Sequence, residues 1–351
     1  MSGNCAMVMQ LNQYPLDFLP AYPALPLTAE FKLTPEDFQV VETLGFEPCG
    51  SGEHVFLNIR KRNLTTESLI SEVAKAFGVL SRDIGVCGLK DKHAITEQWL
   101  SVVWPIKQDI PQIAAEHWQV LQAVRHNKKL KRGIHKANAF CIRLRNIMGD
   151  TALLEQRLRL IADNGFPNYF GEQRFGIEGR NVEKAALLFT RQFKCKPFQR
   201  SMYYSAARSY LFNCYLSARI AAGNWNQPIA GDCFNLAGSN AVFGPEAITD
   251  EIRKRMAAFD IHPMGVMCGA GKIRLTDDAL ALLQGVNAEH EILVQGLIAA
   301  DVGVVMRPLR ALATGLRWQI TEQECELQFS LPTGSYATAL LHEVCQLHEA
   351  T

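Results

Sequence analysis

Neither sign of charge dominates this sequence: 36 Lys and Arg stand against 35 Asp and Glu, for a formal net charge of +1. The chain-wide basic character that advertises nucleic-acid binding is absent, so any such surface has to come from local clustering. The ten cysteines contain no Cys-x-x-Cys pair, which removes zinc-ribbon and thioredoxin-like spacings. No apolar run reaches the length of a membrane span. The opening residues, MSGNCAMVMQLNQYP, lack a charged segment followed by an apolar one. Internal repeats and low-complexity tracts are missing as well. The expectation is a cytoplasmic protein with reduced thiols and no membrane part.

What is present is enough for two domains: 351 residues, 48% of them hydrophobic. Residues 1–30 lack periodicity and read as an extended lead-in. Phe38–Glu42 and Val55–Arg60 read as strands, the second with Val55, Leu57 and Ile59 alternating. Thr65 or Thr66 can cap a helix that gathers Leu69, Ile70, Val73, Ala74 and Phe77 on one face. A strand–loop–strand follows from Ile84 to Trp104, and an amphipathic helix spans 151–163 before the stop signal Asn164-Gly165. The character then changes. Residues 166 to about 306 are rich in Gly, Asn and Arg and hold a helix near 202–222. Cys325, Leu327, Phe329 and Leu331 alternate in a later strand, and a helix over 335–347 closes the chain. The Phe38 region and this late strand read as parts of one sheet interrupted by the middle segment.

Three stretches can carry chemistry. The first is Gly88-Leu-Lys90-Asp91-Lys92-His93-Ala-Ile-Thr96-Glu-Gln98, between two apolar strands. A carboxylic acid that ionises at about pH 4 is charged at neutral pH and can serve as nucleophile or base. A solvated turn with balanced charges fits the same residues equally well. Were residues 90–92 fully extended, both lysines would point away from the Asp91 face. Either the loop bends or the balancing cation comes from elsewhere.

The second stretch, Arg125 to Arg145, holds eight Lys and Arg and no Asp or Glu. Such a run suits a phosphate backbone, with Lys129, Lys131 and Arg132 as contacts; a solvated basic hairpin is the alternative. The third is Asn168–Gly176, where Tyr169, Gln173 and Arg174 suit stacking on unpaired bases and bonding to their edges. A domain junction packed with aromatics fits nearly as well.

Other patterns fail. Gly269-Ala-Gly271-Lys272 lacks phosphate-loop spacing and a following Ser or Thr, and His342-Glu343 lacks the zinc-protease spacing. The nine histidines form no ligand-like group, so no metal is expected.

Gly88-x-Lys90-Asp91-Lys92-x-Ala94-x-Thr96-x-Gln98 closely resembles the signature of the tRNA pseudouridine synthase D (TruD) family. Phe38-x-Val40-x-Glu42, Asn138-x-Phe140, Asn168–Gly176, Arg200–Arg208 and Gly334–Thr338 are similar to further family blocks, in the family's order, over nearly the whole chain. The resemblance implies a mixed α/β (α+β) fold. It consists of a pseudouridine-synthase-like core, mainly antiparallel, over 1–163 and 307–351, interrupted by an inserted α/β domain at 164–306. It implies isomerisation of a uridine in tRNA, at position thirteen of the D-arm, to pseudouridine. By the same carry-over Asp91 is the catalytic aspartate, Phe38, Asn138 and Phe329 contact substrate, and Phe140 takes the place of a stacking tyrosine. Lys90, Lys92 and Gln98 are added as motif neighbours that meet the RNA. A monomer working on tRNA is expected. Two departures stand out: Ala137 replaces a glycine, raising the question of a strained turn, and His342 replaces an arginine.

The competing expectations are an RNA-binding protein that makes no use of Asp91, and a hydrolase or nuclease built on Asp91 with His93 or His135.

Overall fold

The computed structural model describes residues 13–111 and 113–349. The segment 1–12, the first part of the expected lead-in, lies outside the described residues.

The chain divides into two compact units, one formed by 24–165 with 312–351, the other by 166–311 with the described residues up to Pro23. In the first unit, His135–Met148 is the axis of an eleven-stranded sheet among the described residues. Cys325–Pro332 lies on one side of it and Phe38–Leu44 on the other, both antiparallel. Ile95–Val103 continues the sheet parallel to Phe38–Leu44, followed by His54–Arg62 and Trp118–His126. The two regions read as one interrupted sheet are thus joined through the strand between them.

One helix covers the part of the sheet round His54–Arg62. Thr65 caps Thr66–Phe77 by accepting the amide hydrogen of Ser68, which fills one of the donors a helix start leaves open. Gly78 closes the helix in the left-handed region, with φ 65°, as the absence of a Cβ permits. Leu69, Val73, Ala74 and Phe77 pack on Val55, Leu57, Ile59, Leu100 and Val102.

The other unit is built round the helix Pro197–Ala221, which buries Tyr203, Tyr210, Phe212 and Tyr215. It packs against Arg180–Phe189, Asp277–Glu289 and the strand Ile261–Met267. Arg219 and Asp232 form a fully buried ion pair at 2.8 Å. The two ends of the segment 166–311 meet: Phe166–Pro167 pairs antiparallel with Arg310–Ala311. A long insertion with adjoining ends can interrupt a sheet without prising its strands apart.

Several local expectations change. The central helix begins at Pro197, five residues before the apolar pattern becomes obvious, because proline suits a first helical position. The closing helix is shorter, Ala337–Val344, and yields to a strand, Gln346–Glu349, paired parallel with Thr28–Phe31. No helix among the described residues is long and apolar enough to cross a membrane.

Candidate active site around Asp91

The site begins with strand register. Val40 opposes Phe140, which opposes Phe329 on its other side, while Glu42 and Leu331 flank Asn138 in the next row. Alternation along each strand then puts Phe38, Asn138, Phe140 and Phe329 in one neighbourhood. Phe140 stacks on Phe329 with centroids 5.2 Å apart and meets Phe38 edge-on at 6.1 Å. Phe38 and Phe329 are buried, and Phe140 is half-buried.

Lys32 joins these rings to the carboxylate. It follows the strand Thr28–Phe31 with φ 59°, a left-handed conformation that turns the chain. Its ammonium lies 4.6 Å from the centre of the Phe38 ring and 3.4 Å from Asp91 Oδ2. The balancing cation therefore comes from elsewhere in the chain, one of the two possibilities the lysine-flanked motif left open. Sequence reading passed over Lys32, which stands 59 residues from its partner in an unremarkable Phe-Lys-Leu.

The loop that carries Asp91 is held from beneath. The amide of Lys90 donates to Thr66 Oγ1 at 2.9 Å, and that hydroxyl donates to Gln98 Oε1 at 3.2 Å. Lys61 is fully buried, and its ammonium donates to the carbonyl oxygen of Asp91 at 2.7 Å. Lys90 turns inward. Its side chain is 7% exposed, and its ammonium sits 2.6 Å from Glu42 Oε2, whose other oxygen accepts the Trp99 amide. Gln98 is likewise buried. Both residues support the loop; Lys92 remains exposed. Asp91 itself is 39% exposed at its side chain.

Burial pushes the Lys61 ammonium down to about 8; the neighbouring Asp91 opposes that shift and Lys90 reinforces it. A lysine with a lowered folded-state pKa binds fewer protons when folded than unfolded between about pH 8 and its ordinary 10.5. Stability then rises with pH across that window. Lys61→Met is expected to remove this rise, by roughly 3 kcal/mol, seen as a flatter pH dependence of the urea midpoint between pH 7.5 and 10.5. An unchanged dependence would show that Lys61 titrates normally.

Glu42, Cys87 and His135 are all buried and offer ligand atoms within 4.8 Å of one another. Burial raises the Cys87 thiol and lowers the His135 imidazole. The Lys90 ammonium already sits on the carboxylate, and a metal ion there would face it at close range. His135 instead meets the Asn138 amide nitrogen, Nε2 to Nδ2, at 3.3 Å. Asn138 Oδ1 is buried and has no hydrogen-bond partner among the described residues, a state that costs about 1–3 kcal/mol until a donor arrives.

The basic run is not a hairpin. Trp118–His126 pairs with His54–Arg62, several strands away from His135–Met148 in the sheet. Arg125 donates to the carbonyls of Gly52, Trp104, Pro105 and Gln108, and Arg143 and Arg145 pair with Glu326, Asp37 and Glu324. Lys129 donates to the Arg82 carbonyl at 2.9 Å. Lys128, Lys131, Arg132 and Lys136 are exposed. The loop is moored near Asp91: Leu130 donates its amide to Ser101 Oγ, and Gly133 donates to the Cys87 carbonyl at 2.7 Å. Gly85 permits this approach, since a Cβ there would lie 2.5 Å from the Leu130 carbonyl.

In the other unit, Tyr169 is a packing residue rather than an open stacking platform. It is 6% exposed, its ring stacks on Phe18, and its hydroxyl donates to the Leu19 carbonyl. Arg174 donates to Ser205 Oγ at 2.9 Å, while Gln173 is exposed.

The two sequence departures settle differently. Ala137 lies inside the strand His135–Met148, opposite Thr43 and Pro332, and not at a positive φ, so the alanine strains no turn. His342 is exposed on the last helix, and a permanent cation reaches that helix from Arg157, which donates to the Glu343 carbonyl.

The chain matches the family described as tRNA pseudouridine synthase D (TruD) over residues 24–194 and 194–344. A tRNA pseudouridine synthase D of Xanthomonas euvesicatoria is 42% identical over 351 aligned positions, covering 94% of this chain and 95% of the relative. One of Methylococcus capsulatus is 41% identical over 335, with the same coverage. The fold is similar to the crystal structure of the putative tRNA pseudouridine synthase D from Methanosarcina mazei, with a TM-score of 0.69 at 22% identity, over 93% of this chain and 95% of that one.

Proposed function

From the premise that the chain belongs to the tRNA pseudouridine synthase D family, an isomerase family that converts uridine to pseudouridine, we propose that Asp91 is its catalytic carboxylate and that it acts at position thirteen of the tRNA D-arm. The observation that carries the first part is the contact of Asp91 with Lys32, whose ammonium also faces the Phe38 ring. The choice of position thirteen rests on the family resemblance.

Pseudouridine has the atoms of uridine with the glycosidic bond moved from N1 to C5. The target nucleotide leaves the helical stack at a cost of a few kcal/mol. Stacking on the Phe38, Phe140 and Phe329 cluster offsets part of that, at roughly 1–3 kcal/mol per base–aromatic contact. Asn138 Oδ1 offers the released uracil an acceptor for its N3–H. Two routes are open to the carboxylate: attack on the ribose C1′ as the C1′–N1 bond breaks, or removal of the C2′ proton to leave a glycal. On the first route the C1′–Asp91 ester bond breaks as C5 bonds to C1′; on the second Asp91 returns its proton to C2′ as C5 bonds to C1′. In both, the C5 proton leaves and N1 takes one up. The Lys32 ammonium faces the carboxylate at 3.4 Å and balances its charge beside the bound nucleotide. The reading takes the enzyme as a cytoplasmic monomer that needs neither metal nor cofactor.

The test is tRNA bearing uridine at the D-arm site, followed by chemical mapping of pseudouridine. One new pseudouridine at that position supports the reading; pseudouridine elsewhere, or shortened RNA, would sink it. Lys131→Ala with Arg132→Ala is expected to weaken tRNA binding at low salt. It should also flatten log K against log [salt] by about 1.5–2 units, as two phosphate contacts require. An unaltered slope would remove this loop from the RNA path.

A further inference from the structure

Between Glu183 and Asp232 the sequence contains seven Lys and Arg and no acidic residue, a longer acid-free stretch than the run at 125–145. Its first half joins the helix Arg180–Phe189 to the helix Pro197–Ala221. Arg191, Lys194, Lys196 and Arg200 are all exposed, and their side chains make no ion pair with the described residues. The connection is nevertheless fixed. Gln192 donates its amide to the Leu187 carbonyl at 2.8 Å, and the Phe193 ring meets Tyr203 edge-on at 5.9 Å. Phe189 stacks on Tyr204 at 5.4 Å. Lys194 and Lys196 are therefore presented from a firm base.

Amid these cations stands Phe198, 76% exposed. Among the described residues it is the one phenylalanine, tyrosine or tryptophan in the exposed class. Its helix buries Tyr203, Tyr210, Phe212 and Tyr215, so the outward position of Phe198 does not come from a helix without a core. Met202, one turn on and 38% exposed, extends the same face. Lysines on a surface are by themselves a solvated face, and one exposed apolar residue needs no explanation. Unpaired cations on either side of a fully presented ring make a different object. Cations track a phosphate chain, and a ring between them takes a base.

We infer that Arg191–Met202 is a second RNA-binding surface, on which Phe198 stacks an unpaired base while Lys194, Lys196 and Arg200 hold the adjoining phosphates. The occupant is the substrate tRNA, which rests on the family reading above. None of these residues belongs to the Asp91 site, so the surface contributes to holding RNA and not to the chemical step.

The experiment measures binding of a tRNA transcript to the full chain at several salt concentrations, with single-turnover rates at saturating RNA alongside. Lys194→Ala/Lys196→Ala/Arg200→Ala is expected to weaken binding and to lower the salt slope by about two units. Phe198→Ala is expected to weaken binding roughly 5- to 150-fold at every salt concentration without changing the slope, and Phe198→Trp to restore it. Rates at saturation stay at the wild-type value. Wild-type affinity and slope in both alanine variants would overturn the inference, as would a Phe198→Ala loss that Phe198→Trp does not rescue. If the wild-type chain binds tRNA and forms no pseudouridine, the catalytic reading fails, while the variants' effects on binding still decide this surface.

Discussion

Asp91→Asn is expected to lower the single-turnover rate of pseudouridine formation by on the order of 10⁴-fold or more, the loss that follows removal of a nucleophile or general base. Affinity for tRNA should stay within about twofold. The substitution is nearly isosteric, and Lys61 holds the backbone carbonyl of residue 91, which asparagine retains. The Lys90 amide and its ion pair with Glu42 are equally untouched. The loop should therefore keep its shape while the Lys32 ammonium loses the charge it faces. Full activity in the variant would return Asp91 to the status of a turn residue. A parallel loss of binding and rate would mean that the carboxylate organises the RNA site instead.

Much of the first unit was legible because its signals are local. Thr65, the apolar stripe from Leu69 to Phe77 and Gly78 specify a capped, one-faced helix within fourteen residues. Alternation marks the strands round Phe38, Leu57 and Phe329. The site was legible only in part, since its parts meet through long-range pairing. Phe140 and Phe329 face each other across adjacent strands 189 residues apart, and no local pattern encodes that. Lys32 was overlooked because a lysine after a short strand has no signature until the fold places a carboxylate beside it. Lys90 shows the same limit from the other side: sequence puts it next to Asp91, but nothing local announces the Glu42 carboxylate 2.6 Å from its ammonium. The burial of Tyr169 against Phe18 is equally hidden from sequence, since aromatic residues among polar ones serve packing and stacking alike.

The buried pair itself should produce the largest stability effect. Glu42 has a fully buried side chain, and Lys90 is 7% exposed. Glu42→Ala leaves an ammonium in the interior without its carboxylate and strips the Trp99 amide of its acceptor. Breaking one side of such a pair costs about 3–5 kcal/mol, which corresponds to a fall of about 10 °C in Tm for a unit of this size. Glu42→Leu combined with Lys90→Met removes both charges and should recover most of that stability, because an apolar pair carries no desolvation penalty. Activity should not return with it. The pair ties the Asp91 loop to the strand Phe38–Leu44, and a reacting group displaced by about 1 Å can lose 10²-fold in rate. Calorimetry and single-turnover kinetics on the single and double variants separate the two roles. Stability recovered without turnover identifies the pair as the device that positions Asp91. Recovery of both would reduce it to a structural ion pair, replaceable by hydrocarbon.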